Sequence, residues 1–476
     1  MNSALSGQSE DTVAIETLGC KLNLADSEIL LRRFTEAGFR PFDSALRVSG
    51  VGQDRPSAPQ DSPTIYLLNT CTVTHIADRK ARHLLRLARR RYPEAFIIAT
   101  GCFPQRSQKE VEALGIADLV AGNDAKPRLV EMVLEALDGS RGLEAYCQPA
   151  HESALGGHPV WQDLPRRRVR TFVKIQEGCN DYCSYCIIPK TRGRSRSIPP
   201  EEILSEVQLR VDEGYQEVVL TGTQLGDYGE EKTGRGWEGR LQESLDSQWQ
   251  DHLADLIGRI LKETNVQRLR ISSLQPQDIT PSLLELWGSD RLCPHFHIPL
   301  QSGSDGVLNR MRRRYSRKMF ASTVDRLRAT IPDVSITTDI IVGFPGETDE
   351  EFQESYRFCQ EMAFAAIHTF PYSKRTGTSA ARMAQEITDP IKKDRSDIIL
   401  GLAQESASRF RSGFLGRVLP VLWEERKSGA TCPSWSGLTG NYVRVHADSP
   451  QPLLGEITPT VMDRDEGQAI WGRVVM

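Results

Sequence analysis

The sequence has no long hydrophobic run. No stretch of its 476 residues reaches the roughly 20 apolar residues that a membrane-spanning helix needs. Residues 1 to 12 are polar and lack the basic start and apolar centre of a secretory signal. An excess of one charge is also lacking, since 59 Lys and Arg face 63 Asp and Glu, so the overall balance indicates no partner. We therefore expect a cytoplasmic protein with no membrane partner.

A cytoplasmic location also makes disulfide bonds unexpected. In a reducing compartment the ten cysteines are expected to be ligands or buried thiols. Cys179, Cys183 and Cys186 form a Cys-x3-Cys-x2-Cys pattern, called here the loop triad. Zinc is disfavoured, because zinc spacing repeats a Cys-x2-4-Cys pair and no partner pair occurs nearby. Three thiolates can instead hold three irons of a [4Fe-4S] cluster and leave the fourth open, and buried structural thiols are the other alternative.

The amino-terminal part of the chain alternates short apolar strands with helices. Strands are predicted at residues 13–18, 64–69, 95–100 and 118–121, and helices at 23–37, 75–91 and 105–114. This alternation predicts an α/β fold with a flavodoxin-like or Rossmann-like parallel sheet. Cys20, Cys71 and Cys102, called here the strand-end triad, each follow one of the first three strands. Because the carboxyl ends of parallel strands form one crevice, they are predicted to converge into a second cluster site, unless they are merely small residues that cap buried strands.

The motifs around these cysteines resemble those of the radical SAM methylthiotransferases over nearly the whole chain. The resemblance is carried by Gly19-Cys20-Lys21-Leu22-Asn23, Asn69-Thr70-Cys71-Thr72-Val73-Thr74, Thr100-Gly101-Cys102 and the loop triad with Tyr185 before its last cysteine. The first two motifs are similar to the MtaB branch, which acts on threonylcarbamoyladenosine in tRNA. The isopentenyladenosine branch usually has Gly-Cys-Gln-Met-Asn, and the branch that modifies a ribosomal protein tends to have Gly-Cys-Pro-Lys-Asn.

The resemblance implies an enzyme with two [4Fe-4S] clusters and S-adenosyl-L-methionine (SAM). It implies that the loop triad ligates the cluster that cleaves SAM, and that the strand-end triad ligates the cluster that provides sulfur for C2 of the adenosine at position 37. The implied partners are the anticodon loop of tRNA, an electron donor such as flavodoxin or ferredoxin, and a sulfur donor. The alternatives are methylthiolation of isopentenyladenosine or of a ribosomal protein, and a tRNA-binding iron-sulfur protein without catalysis.

The central part of the chain repeats the alternation of strands and helices. Strands are predicted at residues 171–176, 217–221, 268–272, 296–300, 335–342 and 366–370. Six such units predict a partial (βα)6 barrel with its active site at the carboxyl ends of the strands. By resemblance, contacts to SAM are expected from residues at those ends, namely Gly222, Gln224, Ser272, Gln301 and Gly343. Ordinary turn chemistry is the alternative for each of them.

The last part changes to short alternating runs at residues 418–424, 442–445 and 454–458. These predict a small β-barrel that resembles the RNA-binding TRAM domain, with a structural cap as the alternative. The predicted divisions are a methylthiotransferase domain at 12–138, a linker at 139–164, a radical SAM domain at 165–410 and a TRAM-like barrel at 411–476.

Two further segments carry expectations. Residues 44–62 are rich in Ser, Gly and Pro and are interpreted as a flexible surface insertion. From Arg79 to Arg91 there are seven basic residues and no acid. Several of these arginines recur at helical spacing, so this helix face either tracks RNA phosphates or is simply solvated.

Overall fold

The computed structural model describes residues 11–48, 62–141, 169–229, 251–427 and 432–475. The chain divides into an amino-terminal unit, Met1–Ala154 with Ile187–Gly193, and a second unit, Leu155–Cys186 with Arg194–Met476. The predicted linker at 139–164 lies almost wholly outside the described residues. In the described ranges, no helix is long and apolar enough to cross a membrane.

The amino-terminal unit is built on a parallel sheet with the strand order β2-β1-β3-β4-β5. Its described strands are β1 (Thr12–Thr17), β2 (Arg40–Val48), β3 (Ile65–Thr70), β4 (Phe96–Gly101) and β5 (Leu119–Ala121). Its described helices are α1 (Lys21–Glu36), α2 (His75–Arg91), α3 (Cys102–Glu112), α4 (Leu129–Arg141) and α5 (Ile188–Arg192). Strand β3 is buried along its whole length, which explains why residues 65–68 form an apolar run. Helix α2 begins where Thr74 Oγ1 accepts a hydrogen bond from the N–H of Ala77.

Strand β2 corrects one expectation from the sequence. The flexible insertion was expected to start at residue 44, but the chain stays in strand conformation to Val48. The strand pairs with β1 through a register shift between Val13 and Ile15. An edge strand needs backbone pairing on one side only, so its sequence need not show the apolar pattern of the central strands. The rest of the expected insertion, at 49–61, lies outside the described residues.

Six parallel strands form the barrel of the second unit, as predicted. One sheet has the order β10-β9-β6 and the other β11-β12-β13, and parallel bridges Leu269–Leu292 and Ser273–His297 join β10 to the start of the second sheet. The barrel strands are β6 (Arg170–Lys174), β9 (Glu217–Thr221), β10 (Arg268–Ile271), β11 (His295–His297), β12 (Ser335–Val342) and β13 (Ala366–Pro371). An antiparallel pair, β7 (Gln176–Glu177) with β8 (Arg196–Ser197), flanks the loop triad in sequence.

Helices cover the outer face of these sheets. The described ones are α6 (Pro200–Asp212), α7 (His252–Glu263), α8 (Pro281–Glu285), α9 (Asp305–Met311), α10 (Arg317–Thr330), α11 (Asp349–Met362) and α12 (Asp389–Ser412). One apolar core contains Leu220 and Ile340 of the strands together with Phe320 and Phe358 of the helices. Because neighbouring positions in a strand point to opposite faces, the other face of each strand lines the barrel interior, where polar side chains such as Asp339 and His368 lie.

The predicted carboxy-terminal barrel is also present. It is closed, with the order β14-β15-β16-β18-β17. Its strands are β14 (Val418–Lys427), β15 (Ser434–Thr439), β16 (Arg444–Asp448), β17 (Ile457–Asp465) and β18 (Ile470–Val474). Trp423 fills its core and donates Nε1–H to Thr458 Oγ1 at 2.8 Å, so the indole is buried with its polar atom satisfied.

A buried carboxylate closes the amino-terminal end of the central barrel. Glu217 begins β9 and is fully buried among Arg170, Arg268 and Arg270, which begin or lie near the start of the neighbouring strands. Arg268 also donates to the carbonyls of Leu438 and Thr439, and Arg270 to that of Gly440. The ring of Tyr442 stacks on His295 at 4.7 Å. The turn of the small barrel around Tyr442 therefore forms the floor of the central barrel.

Candidate iron-sulfur sites

The amino-terminal sheet brings the strand-end triad together. Cys20, Cys71 and Cys102 follow β1, β3 and β4, which are neighbours in the sheet. Burial, together with the nearby thiols of Cys20 and Cys102, raises the pKa of Cys71 to about 12. A Cβ at Gly19, whose φ is +112°, would lie 2.7 Å from Cβ of Cys71, so only glycine allows the two loops to approach this closely.

Two polar side chains hold the three cysteine loops in place. Asn23 Nδ2 donates to the carbonyl of Leu18 at 2.7 Å and to that of Thr70 at 3.1 Å, which joins the loops of Cys20 and Cys71. Thr70 Oγ1 donates to the carbonyl of Thr100 at 2.6 Å, which joins the loops of Cys71 and Cys102. The sequence motifs include both residues, but their bridging role depends on the sheet order.

A buried charge network lies beside this triad. Asp26 pairs with Lys126 at 2.7 Å and with Arg192 at 3.3 Å, and Arg192 also donates to Asn23 Oδ1. Arg192 acts on Cys71 in the direction that lowers the pKa of the thiol. Helix α5, which carries Arg192, follows the loop triad in sequence but packs in the amino-terminal unit, so sequence reasoning did not place this arginine here.

The loop triad lies in the chain between β7 and α5. All three of its cysteines belong to the second unit, whose first segment ends at Cys186. All three thiols are partly exposed. The backbone N–H of Asp181 donates to Cys179 Sγ at 3.4 Å, and Arg313 Nη1 donates to Cys183 Sγ at 3.2 Å. Arg313 belongs to the basic run 310–314, but its side chain is partly buried and packs over the ring of Tyr315 next to the loop triad.

Gln176 connects the loop triad with the end of β9. Its Nε2 donates to the carbonyl of Gly178 at 2.8 Å, and its Oε1 accepts from the N–H groups of Thr223 and Gln224 at 2.9 Å each. A Cβ at Gly222 would lie 3.0 Å from the same Oε1. This glutamine thus fixes the start of the cysteine loop against the turn that sequence reasoning assigned to SAM, and no sequence motif identified it.

Both triads lie in regions that match family models. The Radical SAM superfamily model matches residues 173–359 and so contains the loop triad. The model described as uncharacterized protein family UPF0004 matches residues 12–122 and so contains the strand-end triad.

Curated relatives match almost the full chain. A threonylcarbamoyladenosine tRNA methylthiotransferase MtaB of Bacillus subtilis is 36% identical over 94% of this chain and 92% of its own. The MtaB of Aquifex aeolicus is 34% identical over 86% of this chain and 92% of its own. This chain belongs to the radical SAM methylthiotransferase family. A tRNA-2-methylthio-N(6)-dimethylallyladenosine synthase of Syntrophotalea carbinolica is 32% identical over 94% of this chain and 95% of its own. The MtaB-type family predicted from the cysteine motifs is confirmed.

The residues present fit the [4Fe-4S] clusters that this radical SAM methylthiotransferase family uses. Each triad offers three thiols, and N–H donors reach sulfur in both of them. In the strand-end triad, Val73 N–H lies 3.5 Å from Cys71 Sγ, and Asn123 Nδ2 lies 3.4 Å from Cys102 Sγ. Hydrogen bonds of this kind stabilise ligated thiolates and adjust the reduction potential of the cluster.

The residues expected to contact SAM differ in whether their polar groups already have hydrogen-bond partners. Ser272 is buried, and among the described residues its hydroxyl has no hydrogen-bond partner, which suits a bound polar group. Gln224 already donates its amide to Asp278 at 2.9 Å, and the N–H of Gly343 donates to Glu347 at 2.7 Å. Gln301 has a φ of +66°, a strained conformation for a residue with a side chain.

Helix α2 offers a smaller basic face than its sequence suggests. Arg82 pairs with Glu110 at 2.8 Å, and Arg89 pairs with Asp118 at 2.5 Å. Arg79, Arg86 and Arg90 are exposed. Only these three arginines of the predicted face project freely enough to meet a phosphate backbone.

Proposed function

We propose that this protein methylthiolates C2 of N6-threonylcarbamoyladenosine at position 37, next to the anticodon of tRNA. The observation that carries the proposal is the pair of three-cysteine sites, each of which leaves one iron of a [4Fe-4S] cluster without a protein ligand. The adenine C2–H bond is not acidic and has no leaving group, so acid-base catalysis cannot place sulfur there. Because the proposed substrate is tRNA, the proposed location of the reaction is the cytoplasm.

The chain's own residues bind and orient the reactants. The loop triad is proposed to hold the cluster that engages SAM, and the strand-end triad to hold the second cluster. When bound, two clusters and two SAM molecules supply the one-electron chemistry, the methyl group and the transferred sulfur. Gln176 and Arg313 keep the loop triad in position, and Asn23 and Thr70 do the same for the strand-end triad. Gly222, Ser272 and Gln301 are proposed to contact SAM at the strand ends, with Gln224 and Gly343 shaping the same turns.

The nucleoside assignment is supported by the cysteine motifs and by relatives named MtaB. Other relatives are named for dimethylallyladenosine, so the isopentenyl substrate is the rival. The nucleotide at position 37 lies in a single-stranded loop, where a base can be splayed out at low cost. The TRAM-like barrel and the exposed arginines of α2 are proposed to contact the tRNA backbone. A flavodoxin or ferredoxin and a separate sulfur donor are the proposed partners for electrons and sulfur.

Nucleoside mass spectrometry of bulk tRNA tests the proposal in cells. In a strain that lacks this gene, 2-methylthio-N6-threonylcarbamoyladenosine is expected to disappear and its unmethylthiolated precursor to accumulate. Restoring the gene should return the modified nucleoside, whereas a copy carrying Cys71→Ala should not. Persistence of that nucleoside together with loss of the methylthio-isopentenyl nucleoside would instead assign the enzyme to the rival substrate.

A further inference from the structure

Three ionisable side chains form a cluster in the interior of the central barrel. His297 Nε2 lies 3.1 Å from Asp339 Oδ2, and His368 Nδ1 lies 3.4 Å from Asp339 Oδ1. The two imidazole rings stack with their centroids 5.6 Å apart. These residues come from neighbouring strands β11, β12 and β13, and Asp339 and His368 are direct partners in the sheet register. We call them the His-Asp-His cluster.

The strand alternation shows that this cluster faces the barrel interior. Phe296, Ile336, Ile340 and Ile367 of the same strands belong to the apolar core beneath the helices. Side chains of adjacent positions in a strand point to opposite faces, so the cluster lies on the other face. On that face His295, at the start of β11, reaches the floor at Tyr442. The cluster therefore lies between the floor and the strand ends where substrate chemistry is proposed.

The exposure of the three side chains increases from His297 through Asp339 to His368. The side chain of His297 is 12% exposed, that of Asp339 24% and that of His368 57%. His297 is also fixed by Thr337, whose Oγ1 lies 2.9 Å from its Nδ1. The ring of His368 is thus the most exposed of the three, while Thr337 fixes His297, and His297 in turn holds Asp339.

The hydrogen bonds determine which polar atoms remain for a ligand. Burial raises the pKa of Asp339, but the N–H groups of His297 and His368 outweigh it and hold that pKa well below its ordinary value. An ionised Asp339 orients Nδ1–H of His368 towards itself. Among the described residues, no side chain pairs with Nε2 of His368. Nε2 of His368 and the exposed part of the Asp339 carboxylate therefore face the barrel interior.

We propose that the His-Asp-His cluster recognises the threonylcarbamoyl substituent of the substrate adenosine, with His368 receiving its carboxylate and Asp339 its hydroxyl. This inference rests on the proposed function, since it assigns the part of the same site that distinguishes one N6 substituent from another. With Nδ1–H directed at Asp339, His368 donates to a substrate carboxylate through Nε2–H when both ring nitrogens carry protons, and the ionised Asp339 accepts from a hydroxyl. An isopentenyl group would desolvate the charged cluster without satisfying it, and a site built for hydrogen bonds rejects a ligand that lacks them.

The test compares three anticodon stem-loop RNAs bound to the holoenzyme. They carry adenosine, threonylcarbamoyladenosine or isopentenyladenosine at position 37, and their affinities are measured by fluorescence anisotropy. Wild-type protein is expected to prefer the threonylcarbamoyl RNA. His368→Phe should lose this preference by about 10- to 100-fold, the value of one hydrogen bond to a charged group, with unchanged affinity for the adenosine RNA. His368→Gln, which keeps a donor, should restore part of it, and His252→Phe, on α7, should behave as wild type.

The outcomes separate the two proposals. If wild-type protein prefers the threonylcarbamoyl RNA and His368→Phe keeps that preference in full, the role of the cluster is wrong and the function stands. If wild-type protein shows no preference for this RNA, the proposed function itself is contradicted. Two imidazoles and a carboxylate are also a donor set for divalent metals. A stoichiometric non-cluster metal in the purified holoenzyme, lost in His368→Phe, would overturn the substrate role in favour of a metal site.

Discussion

Replacing Cys183 with alanine is expected to abolish methylthiolation while leaving tRNA binding intact. Cys183 is proposed as one of three thiolate ligands of the loop triad, and Arg313 donates to its sulfur at 3.2 Å. With only two thiolates left, the cluster that engages SAM should not assemble, and bound iron should fall by about half because the strand-end triad still holds its own cluster. Neither 5'-deoxyadenosine nor the methylthio nucleoside should form. The affinity for tRNA should change little, since Cys183 is not proposed to contact RNA.

Cys359→Ala is the matched control for this variant. Cys359 is fully buried on α11, where burial alone raises the pKa of its thiol to about 12, and it takes part in neither triad. Its replacement should keep the full iron content and SAM cleavage. Full methylthiolation by Cys183→Ala would show that the loop triad is not the SAM site. Loss of tRNA affinity in parallel with activity would indicate a folding defect, which circular dichroism of both variants detects.

Glu217→Gln is expected to cause the largest loss of stability in the second unit. Its carboxylate is fully buried and compensates Arg270 at 2.7 Å and Arg268 at 2.8 Å, with Arg170 at 3.7 Å. Removing one partner of a buried ion pair leaves uncompensated buried charge and costs about 3–5 kcal/mol. We expect this loss in the free energy of unfolding measured by denaturant titration. Amide hydrogen exchange should increase in the turn near Tyr442, because Arg268 and Arg270 also bind that turn.

The stability difference between wild type and Glu217→Gln should depend on pH in a predictable direction. Burial alone would raise the pKa of Glu217, but Arg270 and Arg268 outweigh burial and lower this pKa from 4.5 to about 2. A carboxyl whose pKa is lowered by folding contributes stability above its ordinary pKa and loses it as the pH falls towards the folded value. The difference between wild type and Glu217→Gln should therefore narrow between pH 4.5 and about 2. Glu263→Gln, an exposed partner of Arg259, should change stability little, and an equal effect of both variants would contradict the role of burial.

The two cysteine triads could be predicted from sequence because each follows a recognisable pattern. The loop triad lies within eight residues of chain, and the strand-end triad follows three predicted strands whose parallel order brings their ends together. The six predicted barrel strands and the carboxy-terminal barrel are also present in the structure, because apolar runs mark the buried faces of strands. Strand β2 was missed, since an edge strand is held by backbone pairing that its sequence does not need to show.

The supporting residues could not be predicted because they depend on long-range contacts. Arg192 follows the loop triad in sequence but is buried beside Asp26, 166 positions away. Arg313 stands in a basic run typical of a surface, yet it reaches Cys183 across 130 positions. The His-Asp-His cluster likewise requires the register of β11, β12 and β13. Sequence pattern predicts the ligands, and the fold shows which residues hold and surround them.

The most direct test of the central claim is a competition reaction with purified components. Reconstituted protein, SAM, a reductant and a sulfur source are mixed with equal amounts of tRNAs that carry threonylcarbamoyladenosine or isopentenyladenosine at position 37, and the nucleosides are analysed by mass spectrometry. The account predicts methylthiolation of the threonylcarbamoyl nucleoside, accompanied by 5'-deoxyadenosine. Product only on the isopentenyl nucleoside, or 5'-deoxyadenosine without any methylthio product on either tRNA, would contradict it.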